Sequence, residues 1–172
     1  MGIILGYDLT TLRENVDSGA AEARLAELGQ LRSLSALNEK VELLRLLGRL
    51  DEAMVIANEA VRQSRFAGDR EELVIARTRR AQVLQFQGKI DPALVDLTDC
   101  INEALAHSWD GAAAFALQSR GSIRFDQQDY SAARHDYREA LTLRVRTKAP
   151  AESIDACMVA IAVTDSYLED DE

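Results

Sequence analysis

The sequence predicts an all-α protein built of stacked helical hairpins, and three observations predict it. The first is composition. Only 5% of the 172 residues are aromatic and two are proline, while Ala, Leu, Arg and Glu abound. These lose little side-chain freedom in a helix, whereas sandwiches and barrels draw on β-branched and aromatic residues. The second is an internal echo. Gly48-Arg-Leu-Asp-Glu-Ala53, Gly88-Lys-Ile-Asp-Pro-Ala93 and Gln128-Asp-Tyr-Ser-Ala-Ala133 align without gaps, each 40 residues after the last, and a fixed period of this size marks a repeat array. The third is spacing. Ala53, Ala57, Ala60 and Val61 recur as Ala93, Leu97, Cys100 and Ile101, then as Ala133, Tyr137, Ala140 and Leu141, the three-and-four rhythm of one helix face.

The elements follow in chain order. Residues 1–30 are expected to form an N-terminal region with one or two helices over about 9–30, broken near Asp17-Ser18-Gly19. Three hairpins are expected over 31–150. Gly48 and Gly88 stand where a left-handed residue ends a helix, and Asp51, Asp91 and Ser131 stand where an N-cap begins the next. Pro92 suits a helix start, where its missing N–H costs nothing. Asp69 with Glu72 three residues on reads as a capping box for the first helix of the second hairpin. Small Val41, Ala81 and Gly121 precede the three turns at one register, where two helices must approach closely. Pro150 opens a terminal helix over 151–168, and an acidic tail occupies 169–172.

These columns resemble the tetratricopeptide repeat. The third unit, Leu117-x-x-Arg-Gly121 through Tyr130-x-x-Ala133-x-x-x-Tyr137-x-x-Ala140, carries the likeness best. The common unit is about 34 residues, so a 40-residue period implies longer helices. Arg77, Val41 and Gln128 depart from the pattern. The resemblance implies a right-handed α–α superhelix whose concave face, lined by the first helix of each hairpin, binds protein or peptide. Its groove positions fall on Asn38, Glu42 and Arg45 in the first unit. They fall on Thr78, Arg79, Gln82 and Phe86 in the second, and on Gln118, Ser122 and Phe125 in the third. Amides suit a peptide backbone and rings suit an apolar anchor. The arginines point to a ligand with an acidic or carboxylate group. Glu42 occupies a position where a carboxylate clamp needs an amide.

Charge and motifs narrow the other classes. Twenty basic residues against 29 acidic ones leave a net charge of −9, which disfavours nucleic acid as a partner. No run of apolar residues reaches membrane-spanning length, and the short N-terminal run Ile3-Ile-Leu5 lacks a basic flank. Cys100 and Cys157 lie far apart in apolar surroundings, as buried thiols of a reducing compartment do. The expectation is therefore a cytoplasmic protein. No metalloprotease, phosphate-loop, dinucleotide or nucleophile-elbow motif occurs. His135 and Glu139 stand four apart on one helix, too few ligands for a metal site. Carboxylate pairs such as Asp126 and Asp129 flank a turn. The expectation is a non-enzymatic adaptor with no cofactor. Two alternatives remain: the peptide- or ligand-sensing part of a bacterial regulatory system, and a self-associating homodimer.

Overall fold

The computed structural model describes residues 2–169. Its elements are β1 (Ile4–Tyr7), β2 (Glu14–Val16), α1 (Ser18–Leu28), α2 (Leu34–Leu46), α3 (Leu50–Ala67), α4 (Arg70–Phe86), α5 (Ile90–Ala106), α6 (Asp110–Asp126), α7 (Tyr130–Arg146) and α8 (Ala151–Glu169). The fold is all-α; α1 through α4 pack each on the next, and so do α6 through α8. The forty-residue register holds in the backbone: the second helices of the three hairpins begin at Leu50, Ile90 and Tyr130. Ala53, Ala93 and Ala133 are each wholly buried, and Cys100 and Cys157 are buried free thiols.

The turns show why the signature repeats. Gly48 and Gly88 sit in the left-handed region, at φ 72° and 76°, and Gln128 takes the same conformation at φ 63°. An L-residue pays about 1–2 kcal/mol for it that glycine does not. The next helix restarts two residues after each turn, which displaces the expected caps. Asp51 and Asp91 are not N-caps but first-turn acids of α3 and α5, where a negative charge meets the positive end of the helix dipole. Ser131 likewise lies inside α7. The cap of α7 is Asp129, whose carboxylate accepts from the Ala132 N–H at 3.1 Å. Asp69 caps α4 as expected, accepting from the Glu72 N–H at 3.0 Å.

The N-terminal expectation needs a larger correction. Residues 4–7 and 14–16 form an antiparallel pair of strands, and only from Ser18 does the chain become helical. Asp17-Ser18-Gly19 is a start rather than a break: Asp17 caps α1 by accepting from the Ala20 N–H. The terminal helix α8 runs to Glu169. The expected acidic tail from residue 170 on lies outside the described residues.

The chain divides into two compact units, one of residues 1–8 and 13–93, the other of 9–12 and 94–172. In the first, α2 packs on α3, and α4 packs on both. Its core interleaves Val41, Leu44, Ala53, Ala57 and Val83. A second cluster joins Leu37, Ala60, Val61 and Ala76. Lys40 is buried, and its ammonium donates to the carbonyls of Gly29 and Leu31 at 2.8 and 2.7 Å, satisfying acceptors where α1 runs out.

In the second unit, α6 packs on α7 and α7 on α8. Gly121 explains itself here, because a Cβ would stand 2.7 Å from Cε1 of buried Tyr137. Asp136 is fully buried and bidentate with Arg120, at 3.0 and 2.8 Å, and accepts from Arg124 at 2.9 Å. A carboxylate with no solvent is tolerable only with such pairing.

Candidate functional site

The first unit holds a cleft of about 390 Å³ between α2 and α4. Leu34, Ser35, Asn38, Glu39 and Glu42 line it from α2, and Glu72, Ile75 and Arg79 from α4. Helical spacing puts Ser35, Asn38 and Glu42 on one face of α2, and Glu72, Ile75 and Arg79 on one face of α4. Three of the sequence-derived positions, Asn38, Glu42 and Arg79, therefore meet at one place.

The charges are arranged unevenly. Arg79 donates into an ion pair with Glu42 at 3.2 Å. Glu39 accepts from Arg24 of α1 at 2.6 and 3.1 Å, and that hydrogen bond, with the charges of Arg24 and Arg79, holds its carboxyl below the usual range despite some burial. Glu72 differs. Burial, then the neighbouring charges of Asp69 and Glu71, push its carboxyl up. Among the described residues no basic side chain pairs with it. Asn38 is 7% exposed, and its Oδ1 has no hydrogen-bond partner. Such an acceptor costs about 1–3 kcal/mol relative to a satisfied one.

Arg45 is 5% exposed rather than open to a ligand. Its guanidinium donates to both oxygens of Glu14 on β2, at 2.8 and 3.4 Å, and lies 4.9 Å from the ring centre of Phe86. Arg13 covers the same ring at 4.7 Å. Burial pushes the Glu14 carboxyl up, but the charge and hydrogen bonds of Arg45 outweigh it, and the net position is below the ordinary one. Phe86 thus has two guanidinium groups within about 5 Å of its ring centre, a favourable use of an aromatic face. Thr78 is buried, and Gln82 is half-buried further along α4.

In the second unit, Gln118 and Ser122 are half-buried, one turn apart on α6. Phe125 is 6% exposed, its ring edge-on to Tyr130 and Tyr167 at 5.3 and 5.5 Å. That ring is core. His135 and Glu139 come within 3.7 Å on the exposed side of α7, and no group of three metal-ligating side chains occurs among the described residues. Sequence reasoning passed over Glu72 as a cleft residue, because its capping-box register accounted for it. It also passed over Glu39, Ser35 and Ile75, for which the periodicity of α2 and α4 carried the only signal.

No protein-family model matches the chain, and a search of curated proteins finds no match. Among solved structures it is similar to the crystal structure of BtubC (BKLC) from P. vanneervenii, with a TM-score of 0.64 and 14% identity. The likeness takes in 88% of this chain and 65% of that one, so the chain spans about two thirds of BtubC's length. At this identity the likeness speaks for fold alone. Among the described residues no helix is long and apolar enough to cross a membrane.

Proposed function

We propose that this is a divergent tetratricopeptide-like binding module, an adaptor rather than an enzyme, that holds an extended segment of a partner protein along the face of α2 and α4. The observation that carries the reading is the convergence of Asn38, Glu42 and Arg79 on one cleft. Repeat register alone assigns the same three positions to the groove. The cleft also has the make-up of a peptide site. Asn38 offers an amide whose acceptor lacks a partner among the described residues, Leu34 and Ile75 supply apolar walls, and a volume near 390 Å³ falls within the range of about 300–1,000 Å³ usual for ligand sites.

The test begins with peptides selected by display against the full chain. Ser35 is exposed and lines the cleft, so Ser35→Trp fills it with an indole at little cost to folding. Exposed substitutions usually stay within about 0.5 kcal/mol. The expected result is at least tenfold weaker binding of the selected peptide by the variant at an unchanged melting temperature. Equal affinity would refute binding at this face.

A further inference from the structure

The arginines that suggested an acidic ligand are already answered. Arg45 is engaged by Glu14 and Arg79 by Glu42. The cleft walls carry three carboxylates, of Glu39, Glu42 and Glu72, against the single guanidinium of Arg79. Arg24 compensates Glu39 from α1. The charge left over is the carboxylate of Glu72. An independent observation points the same way: Asn38, more than nine-tenths buried, is among the residues that line the same cleft, and its amide oxygen, shielded from solvent as the side chain stands, receives no hydrogen bond.

We propose that the cleft between α2 and α4 takes a lysine or arginine side chain of the partner peptide. Its cationic head lies against Glu72 and Asn38, and its aliphatic stem against Leu34 and Ile75. The inference rests on the peptide-binding reading above and names its ligand chemistry. Lysine and arginine supply what the site lacks: donors without acceptors, a positive charge, and an apolar stem that packs while the head stays polar. The amide of Asn38 can turn about its terminal bond to present its oxygen with no change of shape. A cation beside Glu72 relieves the repulsion from Asp69 and Glu71. A carboxylate ligand would instead meet Glu39, Glu42 and Glu72 in a partly desolvated space, a like-charge arrangement that rejects wrong partners.

The experiment titrates the 172-residue chain, labelled with ¹⁵N, with capped pentapeptides Ala-Ala-X-Ala-Ala in which X is lysine, arginine, norleucine or glutamate. The Asn38 side-chain amide and the α2 and α4 backbone amides serve as reporters. Saturable shifts are expected with lysine and arginine, with dissociation constants at least tenfold below those of norleucine, and none with glutamate. Glu72→Gln should erase that preference. It removes a charge the fold disfavours, so the variant should be at least as stable as the parent. If Glu72→Gln fails to fold, the parent supplies the second readout: raising sodium chloride from 50 to 500 mM should weaken the lysine peptide and leave norleucine unchanged. Equal binding of lysine and norleucine, a preference for glutamate, or shifts confined to other helices would each overturn the proposal. A selected peptide still blocked by Ser35→Trp would then leave the peptide-binding reading standing without its charge preference.

Discussion

Gly121→Ala pits two effects of similar size against each other in the middle of α6. Alanine is the better helix former by about 1 kcal/mol. Its new methyl, however, would lie 2.7 Å from Cε1, 2.9 Å from Cδ1 and 3.2 Å from Cζ of Tyr137. Carbon pairs rest at about 3.5–4.0 Å, so the ring or helix α6 must retreat by at least about 0.8 Å. Tyr137 is 2% exposed and lies in the cluster of Phe125, Ala133, Ala160 and Val163, so retreat means displacing packed neighbours. Overpacking of this kind costs about 1–3 kcal/mol. Because three ring atoms clash at once and none is a flexible chain end, overpacking wins. The expected net loss, about 1–3 kcal/mol of overpacking less about 1 kcal/mol of propensity, is up to about 2 kcal/mol. Urea unfolding followed by circular dichroism should show a lower midpoint with an unchanged slope. The double variant with Tyr137→Leu should be more stable than the two single losses summed, by 0.5 kcal/mol or more on the usual scale of about 0.5–3 for touching residues. A midpoint at or above that of the parent protein would refute the close approach of α6 and α7.

Three further outcomes follow from other sites. Gln128→Gly should raise stability by about 1 kcal/mol, because the turn already demands a left-handed residue; a lower urea midpoint would count against that geometry. Asp136→Asn should cost about 3 kcal/mol, the low end for breaking a buried ion pair, since Arg120 and Arg124 keep some contact with solvent; a loss below 1 kcal/mol would contradict it. Glu14, held below its unfolded position, contributes stability that is present above that position and lost as pH falls through the folded one. Parent protein should therefore exceed Glu14→Gln in stability at pH 7, and the gap should close in the acid range below about pH 4. A gap that is independent of pH would exclude the ionised Glu14–Arg45 pair.

The repeat was legible because its chemistry is local. A left-handed turn needs glycine or tolerates a polar residue, and a helix crossing needs alanine, so Gly48, Gly88 and the three buried alanines show in the letters. Cap register was less legible, since Asp129 and Ser131 are both good start signals for α7 and only the tightness of the turn decides between them. The strands over residues 4–7 and 14–16 are too short for alternation to identify. The fates of Arg45 and Phe125 depend on partners distant in sequence: Glu14 lies 31 residues from Arg45, and Tyr167 packs on Phe125. Repeat register names a groove position without revealing whether another element has already claimed the side chain. Asn38, Glu42 and Arg79 do line the cleft, Arg79 and Glu42 as an ion pair. The pairing of Arg45 with Glu14 and of Arg79 with Glu42 was not legible either, because counting arginines leaves out the carboxylates that neutralise them.

The site is tested most directly by where a bound peptide touches the chain. Isotope-filtered nuclear Overhauser measurements on a display-selected peptide bound to the labelled chain read this from the methyl groups. Contacts from the peptide to the methyls of Leu34 and Ile75 are expected. Contacts confined to outward methyls such as Val55 on α3 or Val145 on α7, both exposed, would contradict binding in the α2–α4 cleft.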